Sequence, residues 1–194
     1  MSKDKILGNI QKNKPAATPL PEIPAFPIPS EPLLDVFSQQ ATANGCRVVF
    51  FETEAELKEL IPVLFPDAQT WVSPLYIVAK AQKPSDFEQP IDLKAVDVAL
   101  LRGELGVAEN AAIWLRESTF YHRALPFIVQ HLAIILSESD LVFNMHQAYQ
   151  KIGNYRDGFG VFIAGPSKTA DIEQSLVIGA QGARSLTILL QHQK

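Results

Sequence analysis

Hydrophobic residues follow two patterns along the chain. Nearly continuous apolar runs, which are typical of strands buried on both faces, lie at 47–51, 71–79, 96–101, 111–115, 131–136, 159–164 and 185–190. Between several of these runs, apolar residues recur three or four positions apart, as on the buried face of a helix. The alternation predicts a layered α/β fold in which a largely parallel sheet is buried on both faces.

The helices are predicted from spacing together with start and stop signals. We expect helices over the segments 30–44, 53–64, 137–152 and 169–179. The run Thr53-Glu54-Ala55-Glu56 is a capping box, and Gly153 is a stop signal for the third helix. The prediction of the fourth helix depends on Ile172 and Leu176, which lie four positions apart.

The N-terminal part differs from the rest in composition. Residues 2–13 predict a short polar helix, and the seven prolines between positions 15 and 32 predict an extended stretch. We therefore divide the chain into an N-terminal helix and Pro-rich arm, 1–32, and an α/β domain, 33–194. Apolar residues interleave the prolines, so the arm is either a free linker or a segment that docks on its own domain or on a partner.

Composition excludes several classes of function. The net charge of the 194 residues is −4 and the basic residues are scattered, which argues against binding to nucleic acid or to a membrane surface. No leader is apparent and no apolar run approaches the roughly 18 residues of a membrane span, so we expect a cytoplasmic location. Cys46 is the only cysteine. A disulfide framework, a cysteine-based zinc site and a self-held iron–sulfur cluster are therefore excluded, and we interpret Cys46 as a small packing residue.

The turn from Gly165 to Asp171 is the strongest candidate for a ligand site. It is predicted to join a strand to a helix, where free backbone N–H groups and the hydroxyls of Ser167 and Thr169 converge. Either these residues only form the turn and cap the helix, or they hold a polar group of a substrate. Acidic residues in the first helical turn disfavour a phosphate unless Lys168 or Arg184 offsets them, which makes a carboxylate, a hydroxyl or a thioester carbonyl the better ligand.

Other polar residues interrupt the apolar pattern. Glu109 is a candidate nucleophile or general base with Asn110 as an oxyanion donor, although a turn with local hydrogen bonds explains the pair equally well. His131 opens an apolar run and is either a ligand-binding group or a satisfied core histidine. Arg184 either binds an anion or pairs with an acid such as Asp171. No spacing of histidines indicates a metal site, and no glycine-rich loop or nucleophile elbow indicates NAD, ATP or a serine hydrolase.

The run 165–174, followed by Gly179 and by Gly182-Ala183-Arg184-Ser185-Leu186, resembles the signature of the lactate-utilisation protein C family, which consists of LUD-domain proteins often labelled YkgG-like. The resemblance extends to Gly106–Asn110, to the segment around His131 and to the opening residues 5–10. It implies a Rossmann-like, mostly parallel sheet with helices on both faces, similar to the sugar-phosphate isomerase and CoA-transferase-like fold. The sequence departs from the family at Gln181, where histidine is common, and this departure bears on whether the chain is itself catalytic.

The resemblance also implies a role in oxidising L-lactate to pyruvate beside iron–sulfur partner proteins. We expect a non-redox subunit that binds no cofactor itself and either holds a small carboxylate or scaffolds those partners. Expected ligand-binding residues are Asn110, His131, Ser167, Lys168, Thr169, Asp171, Gln181 and Arg184, with Glu109 as the candidate catalytic group. The alternatives are a stand-alone CoA-transferase-like or thioester-handling enzyme with Glu109 as nucleophile, and an interaction protein that uses the Pro-rich arm.

Overall fold

A computed structural model describes residues 2–19, 21–24, 26–28, 30–153, 158–170 and 176–192. Its α-helices are α1 (Lys3–Lys12), α2 (Leu33–Ala43), α3 (Glu54–Leu64), α4 (Leu125–Ile128) and α5 (Met145–Ile152). Its strands are β1 (Arg47–Phe51), β2 (Trp71–Val72), β3 (Val98–Arg102), β4 (Leu105–Val107), β5 (Ala112–Arg116), β6 (His131–Ser137), β7 (Leu141–Val142), β8 (Gly160–Ile163), β9 (Lys168–Ala170), β10 (Leu176–Ile178) and β11 (Ser185–Gln191). Within these ranges no helix has the length and apolar character needed to span a membrane.

The central sheet confirms the predicted α/β architecture. Its strands run in the order β1-β11-β6-β3-β2, and every neighbouring pair is parallel. In this register Ser185 lies opposite His131, and Thr187 lies opposite both Arg47 and Ala133. Because the strands are parallel, the amino ends of β1, β6 and β11 meet at one edge of the sheet. Residues far apart in sequence are thereby brought together at that edge.

The two faces of the central sheet are covered by different elements. On one face Leu100, Ile135 and Leu189 pack with α3, which contributes Leu57 and Ile61. The opposite face packs against α2 and against a second sheet; its residues are Ala99, Leu101, Leu132, Ile134, Leu136, Leu186, Ile188 and Leu190. All of these strand residues are buried, which explains why the strands read as continuous apolar runs.

The second sheet was not anticipated, because the prediction placed all strands in one sheet. Its order is β7-β4-β5-β8, with antiparallel pairing at β4–β5 and β5–β8. The strand β4 has only three residues, too few for a recognisable pattern. A Cβ on Gly106 would lie 2.6 Å from Cδ2 of Leu136 and 2.7 Å from Cδ2 of Leu141, so the absence of a side chain lets β4 approach the core this closely.

Helix α3 begins where its sequence predicts, although only one half of the predicted capping box forms, because Glu56 accepts the amide of Glu52 and not that of Thr53. The hydroxyl of Thr53 accepts a hydrogen bond from the amide of Glu56 at 3.2 Å, and the carboxylate of Glu56 accepts one from the amide of Glu52 at 2.8 Å. The buried residues of the helix are Leu57, Ile61 and Leu64, which lie on the predicted face. The satisfied amides and this apolar stripe together account for the helix.

Two other predicted elements are shorter than expected. The helix over 137–152 is wrong in its first half: α5 begins only at Met145, where Asn144 accepts the amide of Gln147, and Leu141–Val142 pairs with β4 instead. The strand over 71–79 is limited to Trp71–Val72. Pro74 cannot donate to a sheet ladder, so the chain leaves the sheet there.

The predicted helix over 169–179 is wrong. Lys168–Ala170 and Leu176–Ile178 form an antiparallel pair in which Val177 lies opposite Thr169. The helix prediction rested on one pair of apolar residues four apart, whereas Leu176-Val177-Ile178 is an apolar and largely β-branched run that favours a strand. Ser167 and Thr169 are therefore not helix caps.

The N-terminal helix lies outside the core. None of the residues of α1 is buried, and its apolar side chains Ile6, Leu7 and Ile10 are exposed. The arm that follows contacts the domain at Phe26, whose ring centroid lies 4.6 Å from that of His146 in α5. This contact supports the alternative in which the arm docks on its own domain. The proposed domain boundary at residue 32 stays a prediction.

Candidate functional site

The two segments that carry the sequence signature are hydrogen-bonded to each other. The amide of Ser167 donates to the carbonyl of Ala183 at 2.9 Å, and the amide of Gly179 donates to the carbonyl of Ser167 at 2.9 Å. A Cβ on Gly182 would lie 3.0 Å from the Cβ of Ser167, so these backbones approach closely. The signature residues therefore form one compact unit beside the amino ends of β6 and β11.

This unit does not have the predicted strand-to-helix geometry. The strand before it, β8, belongs to the second sheet, where its neighbour β5 is antiparallel. The rule that ligands bind beyond the carboxyl ends of parallel strands, next to helix N-termini, therefore does not apply here. Asp171, which was expected to line the site, lies outside the described residues.

The largest of three adjoining clefts lies at this same edge, where the central strands begin. It has a volume of about 520 Å³. Its polar side chains are Arg47, Asp67, Asp97, Gln130, His131, Arg184, Ser185 and Thr187, and its apolar wall includes Leu64 and Phe65. A cleft of this size is in the usual range for small-molecule sites.

Two smaller clefts adjoin it, as their shared lining residues show. Arg184 lines the 520 Å³ cleft and a second cleft of about 400 Å³; Gln181 lines the second and a third of about 340 Å³. Ser167, Lys168 and Thr169 line the third. The structure thus places six of the expected ligand-binding residues around three neighbouring clefts: His131, Ser167, Lys168, Thr169, Gln181 and Arg184.

His131 and Ser185 form a hydrogen-bonded pair inside the largest cleft. Nδ1 of His131 lies 2.8 Å from Oγ of Ser185, and both side chains are partly buried. The ring of Phe65 packs nearby, with 6.2 Å between ring centroids. Sequence reasoning selected His131 but missed Ser185. The available signal was that both residues open long apolar strands, although their pairing depends on the strand register.

Asp97 borders the same cleft and is held in place by three donors. Its Oδ2 accepts hydrogen bonds from the amides of Gln69 and Thr70, each at 2.8 Å, and from the hydroxyl of Thr70 at 2.9 Å. The backbone hydrogen bond from Thr70 is the main reason that the pKa of Asp97 lies below its usual value, followed by that from Gln69; attraction to His131 lowers the pKa further. Asp97 therefore anchors the strand β2 region to the start of β3.

Replacing Asp97 with asparagine is expected to lower the melting temperature at neutral pH, because the charge that strengthens these hydrogen bonds is lost. The folded-state pKa of Asp97 lies below the unfolded value, so its stabilisation is complete above the unfolded pKa of about 3.9 and is lost as the pH falls through the folded pKa. The difference in melting temperature between the two proteins should be constant from about pH 5 to pH 7 and shrink below about pH 4. Thermal melts followed by circular dichroism measure it; a difference that widens in acid would contradict the assignment.

Two guanidinium groups line the cleft. The side chain of Arg184 passes over Gly179, where φ is +81° and a Cβ would collide with Cγ of the arginine. Among the described residues, the guanidinium of Arg184 has no hydrogen-bond or ion-pair partner. Arg47 makes one long contact, 3.5 Å from its Nη1 to the carbonyl of Leu64. Both groups therefore retain donors for a ligand.

Glu109 and Asn110 lie elsewhere, in the connection between β4 and β5. Oε1 of Glu109 accepts the amide of Met145 at 2.7 Å, at the start of α5. Oδ1 of Asn110 accepts the amide of Ala112 at 3.0 Å, and Ala111 has φ of 55°, as in a tight turn. Neither residue lines the three clefts. The arrangement supports the turn interpretation, and the catalytic role of Glu109 stays a prediction.

Cys46 is buried just before β1, which confirms its interpretation as a packing residue. Burial raises the pKa of its thiol to about 11, although the positive charge of Lys168 acts in the opposite direction. Over the described parts of the chain, no group of three or more His, Cys, Asp or Glu residues is placed to hold a metal ion.

Comparison with known proteins relates this fold to a family. The family model of the LUD domain matches residues 90–191. Lactate utilization protein C of Exiguobacterium sp. is 32% identical over 102 residues, which are 50% of this chain and 44% of that protein. Lactate utilization protein C of Shouchella clausii is 34% identical over 91 residues, 44% of this chain and 40% of that protein. The matched stretches thus span less than half of the length of these relatives.

A solved structure has the same fold. The crystal structure of a DUF162 family protein from Deinococcus radiodurans superposes with a TM-score of 0.68 at 17% sequence identity. The superposition covers 86% of this chain and 100% of that chain. At this level of identity the likeness concerns the fold alone. The matched range 90–191 contains Asp97, His131, Arg184 and Ser185 of the largest cleft, while Arg47 lies before it.

Proposed function

The chain belongs to the LUD-domain family, and on that premise we propose that it is a non-redox component of a lactate-utilisation system that binds a small carboxylate in the 520 Å³ cleft. The similarity to relatives named lactate utilization protein C supports the assignment to a lactate-utilisation system. The choice of a carboxylate as ligand depends on one observation: Arg47 and Arg184 line one cleft together with the His131–Ser185 pair. Guanidinium groups bind carboxylates through parallel, charge-assisted hydrogen bonds.

The balance of charge in the cleft favours a singly charged acid over a polyphosphate. Two arginines face two aspartates, Asp67 and Asp97, and Asp97 already accepts three hydrogen bonds on one oxygen. A ligand with one negative charge can pair with the two arginines, and the cleft has no large excess of positive charge that would call for more negative charges. Several phosphate charges would be repelled by the two carboxylates.

In the proposed system, electron transfer is carried out by other proteins. Iron–sulfur clusters are held by several thiolates, and this chain has one cysteine, which is buried. We therefore assign the acceptance of electrons from the hydroxy acid to iron–sulfur partner proteins. This chain would hold the acid in place or scaffold those partners. The exposed apolar side chains Ile6, Leu7 and Ile10 of α1 are available for such a contact.

Replacing Arg184 with glutamine is expected to weaken binding of lactate or pyruvate about tenfold to a hundredfold, which corresponds to the loss of charge-assisted hydrogen bonds. Isothermal titration calorimetry measures the affinity, and a thermal-shift assay on the same samples reports binding to the folded state. The matched control is Arg102→Gln, since Arg102 is an exposed arginine at the other end of β3. Loss of affinity in both variants, or no binding by the unaltered protein, would contradict the assigned site.

A further inference from the structure

We propose that the Ser185–His131 pair recognises the oxygen on the second carbon of the bound acid, so that the cleft selects 2-hydroxy acids over unsubstituted carboxylates. The inference rests on the proposed carboxylate site and adds a specificity-determining pair to it. Arg184 and Ser185 are adjacent in sequence, and both line the largest cleft. The site therefore combines a group suited to the carboxylate with a polar pair beside it.

The pair offers one donor and one acceptor in either tautomer of the histidine. If the hydroxyl of Ser185 donates to Nδ1, then Nε2 of His131 carries the ring hydrogen and the serine oxygen is the acceptor. If Nδ1 donates to Ser185, the serine hydroxyl is the donor and Nε2 the acceptor. Within the described residues, no hydrogen bond engages Nε2. Nδ1 and Nε2 point to opposite sides of the ring, so a ligand oxygen bonded to Ser185 does not also reach Nε2. A ligand hydroxyl, which both donates and accepts, pairs with the Ser185 hydroxyl in either tautomer.

Other acids of the same length satisfy the pair less well. A keto oxygen accepts but cannot donate, so pyruvate pairs with the Ser185 hydroxyl only when Nδ1 of His131 carries the ring hydrogen. Propionate has no oxygen on its second carbon, so it gives the Ser185 hydroxyl no hydrogen-bond partner in either tautomer. The expected order of affinity is therefore lactate, then pyruvate, then propionate.

The histidine is held in a fixed frame, as selective recognition requires. The amide of His131 donates to the carbonyl of Asp97 at 2.8 Å, and the carboxylate of Asp97 is itself fixed by Gln69 and Thr70. On the other side, the ring of Phe65 packs near the imidazole. Arg47, Arg184, Asp67 and Asp97 are the charged groups around the pair in this cleft. The ring is thus constrained by Ser185, by the start of β3 and by an aromatic neighbour.

The test is titration calorimetry of the whole chain with lactate, pyruvate and propionate at one fixed pH. The unaltered protein is expected to bind lactate at least about tenfold more tightly than propionate, since a site built for a hydroxyl discriminates strongly against its absence. Ser185→Ala should bring lactate to the level of propionate while leaving propionate binding almost unchanged. The matched control is Ser137→Ala, because Ser137 lies at the far end of β6, the strand that His131 begins, and its hydroxyl bonds to Ser139 away from the cleft.

The outcomes separate this inference from the proposed function. Equal affinity of the unaltered protein for lactate and propionate would overturn the inference and leave the carboxylate site standing. A preference for lactate that survives in Ser185→Ala, with melting temperatures of all variants unchanged, would also overturn it. Binding of none of the three acids would overturn the proposed ligand class and the inference together. Loss of the preference only in Ser185→Ala is the supporting result.

Discussion

Replacing Phe37 with alanine is expected to lower the free energy of unfolding by about 3–5 kcal/mol, the usual cost of deleting a buried aromatic ring. Phe37 lies on α2 and is 0% exposed. It packs between the central sheet and the second sheet, where Cε2 of its ring would lie 3.2 Å from a Cβ on Gly106. Both sheets are hydrogen-bonded ladders that cannot readily collapse into the space left by the ring, so most of the cavity should remain.

Urea denaturation followed by circular dichroism measures this change. The matched control is Phe50→Ala, because Phe50 lies on the edge strand β1 and is 48% exposed. The control should cost clearly less, since part of the ring is already in water. Similar losses in the two variants would mean that the layer between the two sheets is less tightly packed than the structure indicates.

Replacing Gly160 with valine is expected to destabilise the second sheet by about 1–3 kcal/mol through overpacking. Gly160 lies in β8 opposite Arg116, and any Cβ at this position would collide with the ring of Trp114. The ring is fixed on its other side by Phe162, with 4.8 Å between ring centroids. Either the tryptophan ring or the strand must therefore move.

A double-mutant cycle with Trp114→Leu tests this mechanism. If the collision with the indole ring is the cause, the valine should cost much less in the Trp114→Leu background than in the unaltered protein. The unfolding free energies of the four proteins in urea provide the coupling energy. Additive effects would show that the valine acts through another contact.

The strands that could be predicted are those whose own sequence identifies them as strands, whatever their neighbours are. β6 and β11 are long and buried on both faces, so their apolar runs identify them without knowledge of their neighbours. β4 and β7 have three and two residues, and their pairing depends on tertiary contacts. The β9–β10 pair was predicted as a helix because one pair of apolar residues four positions apart is a weak signal for either structure.

The candidate site was only partly predictable for a related reason. His131 opens one apolar run and Arg184 directly precedes another, so each is visible in the sequence alone. Ser185, Arg47 and Asp97 join them only through the parallel register of β1, β11, β6 and β3. The position of the cleft was also misjudged, because the unit after β8 was assigned to the carboxyl edge of the parallel sheet, whereas β8 lies in the other sheet.

The position of β11 between β1 and β6 has a consequence for the newly made protein. On the ribosome, β1 emerges early, yet the neighbour that covers its hydrogen-bonding edge is the last strand described. Until β11 arrives, the nascent chain presents unpaired edges of β1 and β6 together with their apolar faces. Such long-range pairing slows folding and favours aggregation of incomplete chains. The topology therefore leaves the edges of β1 and β6 uncovered for longer during synthesis than in a fold whose neighbouring strands are adjacent in sequence.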